Sequence, residues 1–198
     1  MDSIRISFIE TLEILVVLTT LLYNYFLIKQ NIICWLFGFL ASLFGLIIFY
    51  EKQLIGQVIL HVFYTIMAVY GWYIWGKSKK QNPIIKWPMI NHVYVIGMGV
   101  ILTFILGNFV LNKFTENVNF LDISITLFCF VATFKEAHKI LSAWLYWIVL
   151  NLASLILYMQ SNLKIYALLM FIYTILSIKG YLVWRKNLSE SVPIHRKD

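Results

Sequence analysis

The sequence predicts an all-α membrane protein: seven transmembrane helices in a 3+1+3 parallel-repeat arrangement, with the N-terminus outside and the C-terminus inside. Three observations predict it. The 198 residues are 61% hydrophobic and 13% charged, with a mean hydropathy of +0.81, too apolar for a single soluble core to hide their hydrophobic side chains. Apolar runs of the roughly 20 residues that a bilayer-spanning helix needs follow one another with only short polar breaks. Landmarks of the first half also return in the second half at a fixed spacing.

In chain order the helices are expected at 8–27, 31–50, 54–76, 91–112, 118–134, 141–160 and 163–184. The first run, about Phe8 to Leu27, has no small-residue cleavage site, so it reads as a permanent span rather than a signal peptide. The second holds Cys34 and the fifth Cys129. A cysteine in an apolar run behaves as a small hydrophobe, and these two suggest neither a disulfide framework nor a metal site. The third run ends at the clearest break, Gly76-Lys77-Ser78-Lys79-Lys80-Gln81-Asn82-Pro83, which combines charge, a helix stop and a proline. This gives a first three-helix bundle at 8–76, a cytoplasmic loop with linker helix 4 at 77–112, a second bundle at 113–185 and a cytoplasmic tail at 186–198.

The net charge of +7 does not point to nucleic acid, because no soluble domain presents a basic patch. It is a topology signal. Across seven spans, Arg5, Lys52, Lys113 and Lys164 fall on one face and the other twelve basic residues, among them Lys29, Lys77, Lys86, Lys135, Lys139 and Arg185, on the opposite one. The richer face belongs in the cytoplasm.

The internal repeat is gapless. Tyr64-Thr65-Ile66, Gly71 and Trp75 return 109 residues later as Tyr173-Thr174-Ile175, Gly180 and Trp184. The same offset pairs Trp35 with Trp144, Leu54 with Leu163 and Glu13 with Asp122. It lays helices 1–3 on helices 5–7 and leaves helix 4 as the linker. Four spans separate the equivalents, so both halves enter the membrane from the same side.

Polar groups inside such spans are the functional candidates. Glu13 and Asp122 lie in the first turns of helices 1 and 5, where an ionised carboxylate is costly unless it faces protein or water; their symmetry also fits a repeated structural role. On helix 6, Trp144, Trp147 and Asn151 share a face at i, i+3 and i+7. Indole planes beside an amide suit a heterocycle with a polar edge. An interfacial aromatic belt accounts for Trp144 alone, whereas an amide near mid-bilayer needs a partner. On helix 3, Gln57, His61 and Tyr64 form a second polar stripe, fit for a pore or pocket or for satisfying a neighbouring helix.

The stretches NIICWLFGFLASL, LHVFYTIMAVYGWYIW, WLYWIVLN and GYLVW resemble the PnuC-type bacterial vitamin transporters over about residues 10–185. Trp144-x-x-Trp147-x-x-x-Asn151, preceded by Lys139, is similar to the family's helix 6 signature, and Asp122 with Thr126 matches its helix 5. The resemblance implies a 3+1+3 fold with a substrate site between helices near the membrane centre, lined by Trp144, Trp147 and Asn151, with Trp35, Gln57, His61, Tyr64, Asp122 and Thr126 as further substrate-binding candidates. It also implies facilitated diffusion of nicotinamide riboside, trapped afterwards by a cytoplasmic vitamin kinase. Helix 3 departs from the pattern: where nicotinamide riboside transporters carry Asp and Gln before the tyrosine, this chain has Gln57 and His61. Thiamine therefore competes as the substrate.

No metal-spaced His/Cys cluster, phosphate-binding glycine loop or catalytic triad stands in the sequence, so neither an enzyme nor a cofactor is expected. Without an ATPase module, transport runs down a gradient, couples to an ion or relies on a partner. The expectation is a vitamin permease of the bacterial inner membrane, a possible homo-oligomer. The alternatives are a proton-coupled transporter using Glu13, Asp122 or His61, and a non-transporting membrane scaffold.

Overall fold

The computed structural model describes residues 2–51, 55–77, 83–113, 119–160 and 164–191. The Leu54/Leu163 pair, the charged break at 78–82 and the tail from 192 lie outside the described residues. Among them run seven helices, α1 (Asp2–Ile28), α2 (Ile33–Glu51), α3 (Ile55–Lys77), α4 (Met89–Lys113), α5 (Phe120–Ala137), α6 (Ala143–Gln160) and α7 (Lys164–Ser191). Six of them are long and apolar enough to cross a membrane. The exception is α5, whose 18 residues include Asp122, Lys135 and Glu136; at about 27 Å it also falls just short of the hydrocarbon thickness.

The chain divides into two compact units, Met1–Asn82 and Pro83–Asp198. In the first, α1 packs on α2 and α2 on α3; in the second, α4 packs on α5, α5 on α6 and α6 on α7. Helices in lipid gain little from hiding apolar surface, so close backbone approach matters more. Here a ring seats on a glycine at almost every such pair: Tyr23 on Gly38, His61 on Gly45, Trp35 on Gly71, Phe128 on Gly99, Phe120 on Gly107 and Trp144 on Gly180. A Cβ at any of these glycines would lie closer to the ring than ordinary van der Waals contact, least so at Gly38.

Each unit turns a corner in the same way. At the end of α1, Gln30 takes φ 55°; its N–H donates to Leu27 O at 2.9 Å and Asn31 N–H to Phe26 O at 2.9 Å. At the end of α5, Lys139 takes φ 51°; its N–H donates to Glu136 O at 2.9 Å and Ile140 N–H to Lys135 O at 2.9 Å. Both are Schellman closures, which satisfy the last helical carbonyls through a left-handed residue. Neither left-handed residue is glycine, at a cost of about 1–2 kcal/mol each. The corresponding atoms are again 109 positions apart.

Helix boundaries follow local chemistry. The Asn119 carboxamide oxygen accepts from Leu121 N–H at 3.0 Å and Asp122 N–H at 3.3 Å, which starts α5 at Phe120. Asn31 similarly accepts from Ile33 N–H at 2.9 Å and starts α2. The far end of α5 runs to Ala137, so Lys135 and Lys139, sorted by sequence into a cytoplasmic loop, are instead buried at 0% and 3% exposure. What covers them is the connector ahead of α4. Ile85 N–H donates to Lys139 O at 3.0 Å and Ile85 O accepts from Leu141 N–H at 2.9 Å, a short parallel bridge along the α5–α6 corner.

Candidate functional site

In the first unit, Trp35 opens α2 fully sheltered, its indole flat on Gly71 of α3. Trp75 meets it edge-on with centroids 5.5 Å apart and planes at 90°, and Tyr23 closes the other side at 6.0 Å. Further along α3, His61 Nδ1 stands 2.9 Å from Gln57 O. As the donor in that contact it leaves Nε2 as the free acceptor nitrogen. The imidazole is packed between Phe49 at 4.7 Å and Tyr64 at 5.6 Å, so Gln57, His61 and Tyr64 stand together as one polar-aromatic face of α3. One turn on, the Thr65 hydroxyl reaches Ser42 Oγ at 2.9 Å and His61 O at 2.8 Å, while Ser42 donates to Phe39 O at 2.9 Å.

The second unit repeats the tryptophan arrangement. Trp144 is 0% exposed, lies on Gly180 and meets Trp184 edge-on at 5.3 Å and 89°. Deeper along α6, Asn151 Nδ2 donates to Ser177 Oγ at 3.2 Å, and Ser177 donates to Tyr173 O at 2.8 Å. Asn151, at 7% exposure, keeps its carboxamide oxygen for another donor. The indole N–H groups of Trp35, Trp144 and Trp147 are buried without a hydrogen-bond partner. A buried donor left unpaired costs about 1–3 kcal/mol, so a site that supplies an acceptor gains that much. On α6 two such donors and an open amide oxygen lie along one face.

The remaining candidates are placed as follows. Asp122 is exposed in the first turn of α5, next to the helix N-terminus, and Thr126 is half-buried one turn on. Because α5 and α6 run antiparallel from their shared corner, Asp122 and Trp144 occupy opposite ends of the pair, on the order of 20 Å apart along the axis; Thr126 is nearer the depth of Asn151. Glu13 is half-buried on α1 and holds an interaction of its own. Among the described residues no three His, Cys, Asp or Glu side chains are grouped to hold a metal.

Sequence reasoning missed Ser177, Ser42 and Thr65, small hydroxyls that an apolar run conceals. It also missed a cage around Lys135. The Lys135 ammonium stands 3.6 Å from the Tyr146 ring centroid and 4.9 Å from that of Trp87, with His92 Nδ1 3.5 Å away. A lysine at the end of an apolar run was the available signal.

Residues 10–186 match the model of a family described as nicotinamide mononucleotide transporter. The chain is similar to the nicotinamide riboside transporter PnuC of Escherichia coli (strain K12), 24% identical over 190 residues, covering 81% of this chain and 79% of that protein. The protein of the same name from Shigella flexneri matches to the same extent. A crystal structure of the vitamin B3 transporter PnuC superimposes with a TM-score of 0.75 at 21% identity, covering 91% of this chain and 83% of that one.

Proposed function

The chain belongs to the nicotinamide mononucleotide transporter family, and on that premise we propose that it takes up nicotinamide riboside by facilitated diffusion. It is a multi-pass permease of the bacterial inner membrane. In this reading all seven helices span, α5 included, with the three charges of α5 kept toward protein or its ends. The recurrence of the corner and of the Trp-on-Gly arrangement at the 109-residue offset supports a 3+1+3 parallel repeat. The basic residues Lys29, Lys77, Lys86, Arg185 and Lys186 support an N-terminus outside and a C-terminus inside. A cytoplasmic kinase that phosphorylates the product would keep uptake running downhill without a coupling ion.

The observation that carries the substrate reading is the face of α6, where Asn151 offers an open carboxamide oxygen and Trp144 and Trp147 offer unpaired indole N–H donors. A pyridine carboxamide bears the complementary set: an N–H donor, a carbonyl acceptor and a flat ring for an indole to lie against. Gln57, His61 and Tyr64 on α3, with Trp35, Asp122 and Thr126, are the further contacts proposed.

His61 favours a second reading. It stands with Gln57 where nicotinamide riboside transporters carry Asp and Gln, which alters the polar groups that α3 offers a ligand, so thiamine is the alternative ligand. Titrating purified protein with both vitamins by calorimetry decides between them, and uptake into vesicles without an ion gradient tests transport. If neither vitamin binds or enters vesicles, the substrate claim is refuted.

A further inference from the structure

The buried charge at the α5–α6 corner is the feature that the family reading leaves without a role. Lys135 is 0% exposed and makes no ion pair with a carboxylate among the described residues. An isolated ammonium in such a place costs several kcal/mol of lost hydration. Its neighbours return part of that through two ring faces, Tyr146 at 3.6 Å and Trp87 at 4.9 Å, and through His92. With Nδ1 unprotonated, His92 accepts from the Lys135 ammonium at 3.5 Å or from the Tyr146 hydroxyl at 3.2 Å. Trp87 in turn meets the His92 ring at 5.9 Å.

The fold itself does not demand this charge. The positions 109 residues earlier are Phe26 and Phe37, and those two rings simply stack, 5.5 Å apart and within 1° of parallel. An all-carbon pair therefore closes the same kind of corner in the first unit. The lysine in the second unit does something the phenylalanine does not: it recruits Trp87 and His92, and with them the entry to α4. Three segments then meet at one ammonium, namely the connector and first turn of α4, the last turn of α5 and the first turn of α6.

Tyr146 is the side chain through which α6 enters this cage. On the helix it points about 160° away from Trp144, about 100° away from Trp147 and about 140° away from Asn151. The cage therefore grips α6 from behind, while its front carries the substrate candidates. We propose that Lys135 is a positioning residue for vitamin binding: caged by Trp87, Tyr146 and His92, it fixes α6 against the entry to α4 so that Trp144, Trp147 and Asn151 keep one geometry. The proposal rests on the α6 substrate face described above.

The experiment compares wild type with Lys135→Met, Trp87→Leu and Trp87→Phe, reading nicotinamide riboside and thiamine affinity by calorimetry and hydrogen exchange at the Ile85 and Leu141 amides of the corner bridge. Lys135→Met and Trp87→Leu are expected to weaken vitamin binding about tenfold and to speed exchange at both amides, whereas Trp87→Phe, which keeps a ring face, stays within about twofold of wild type. Wild-type affinity in Lys135→Met overturns the proposal, as does equal loss in Trp87→Phe and Trp87→Leu. Should Lys135→Met fail to fold, the two Trp87 variants decide alone. Absence of vitamin binding by the wild type would instead sink the permease reading, and the exchange arm would still judge the cage, since unchanged exchange in Lys135→Met refutes it without any ligand.

Discussion

Replacing Gly180 with alanine places one methyl group where the Trp144 indole already is. The new Cβ would stand 2.5 Å from Cε3 and Cζ3 and 2.6 Å from Cδ2 of that ring. Ordinary contact begins near 3.4 Å, so the indole must retreat by roughly 1 Å or α6 and α7 must part. Trp144 has nowhere open to go, being 0% exposed with Trp184 edge-on at 5.3 Å. Overpacking of this kind costs about 1–3 kcal/mol, which lowers the melting temperature of a chain this size by about 2–12 °C. If the α6 face reads the vitamin, the displaced indole also weakens binding by about tenfold, since each 1.4 kcal/mol is a decade in affinity. Gly71→Ala sets the same clash against Trp35 in the first unit and should match the thermal loss. Gly97→Ala is the control: nothing lies within 4 Å of its Cβ, so helix propensity alone acts and stability rises by up to about 1 kcal/mol. The assay is thermal unfolding in detergent alongside vitamin titration. A Gly180→Ala protein that melts and binds as wild type would refute the ring-on-glycine account of α6–α7 packing.

Three other outcomes follow from the same geometry. Asn151→Ala removes the amide shared between Ser177 and the proposed ligand and should weaken vitamin binding by about 1–3 kcal/mol, with Ser177→Ala costing less; equal affinities in competition titrations would exclude Asn151 from the site. His61→Gln restores an amide on α3 and should raise the preference for nicotinamide riboside over thiamine, read as the ratio of the two dissociation constants; an unchanged ratio removes His61 from specificity. Uptake into vesicles should continue undiminished in the presence of a protonophore and in Asp122→Asn, because facilitated diffusion needs no proton path. Collapse of uptake in either case would favour the proton-coupled alternative.

The positions of the helices were legible in the sequence because membrane spans are announced by composition, and the end of α3 at Lys77 because glycine and charge coincide there. The partners were not. Gly71 and Gly180 stood out as repeated residues, yet only the structure shows that each receives a tryptophan ring. Ser42, Thr65 and Ser177 satisfy themselves on carbonyls one turn back and turn a second bond toward a neighbouring helix, a habit that leaves no periodic trace in an apolar run. Lys135 and Lys139 were read as loop charges because sequence reports how far a residue is from a span, and not that residues some 50 positions earlier fold back over it.

The 109-residue correspondence separates scaffold from function more sharply than either unit does alone. Where equivalent positions keep both residue and geometry, as in Trp35–Gly71–Trp75 against Trp144–Gly180–Trp184, the same helix contact is made twice, whatever else the indoles do. Where the backbone geometry recurs but the side chain changes, packing cannot be the reason for the change. Ser42 becomes Asn151, Ala68 becomes Ser177, His61 becomes Met170, and the Phe26–Phe37 stack becomes Lys135 over Tyr146. Two of these changes put polarity or charge into the second unit, Ser42 to Asn151 exchanges a hydroxyl for a larger amide, and His61 to Met170 leaves an imidazole in the first. A symmetric pair of units cannot distinguish the two ends of an asymmetric vitamin. In the proposed permease, the polar groups that break the correspondence are the expected means of doing so, which ranks Asn151 and His61 above the shared tryptophans for the mutational tests.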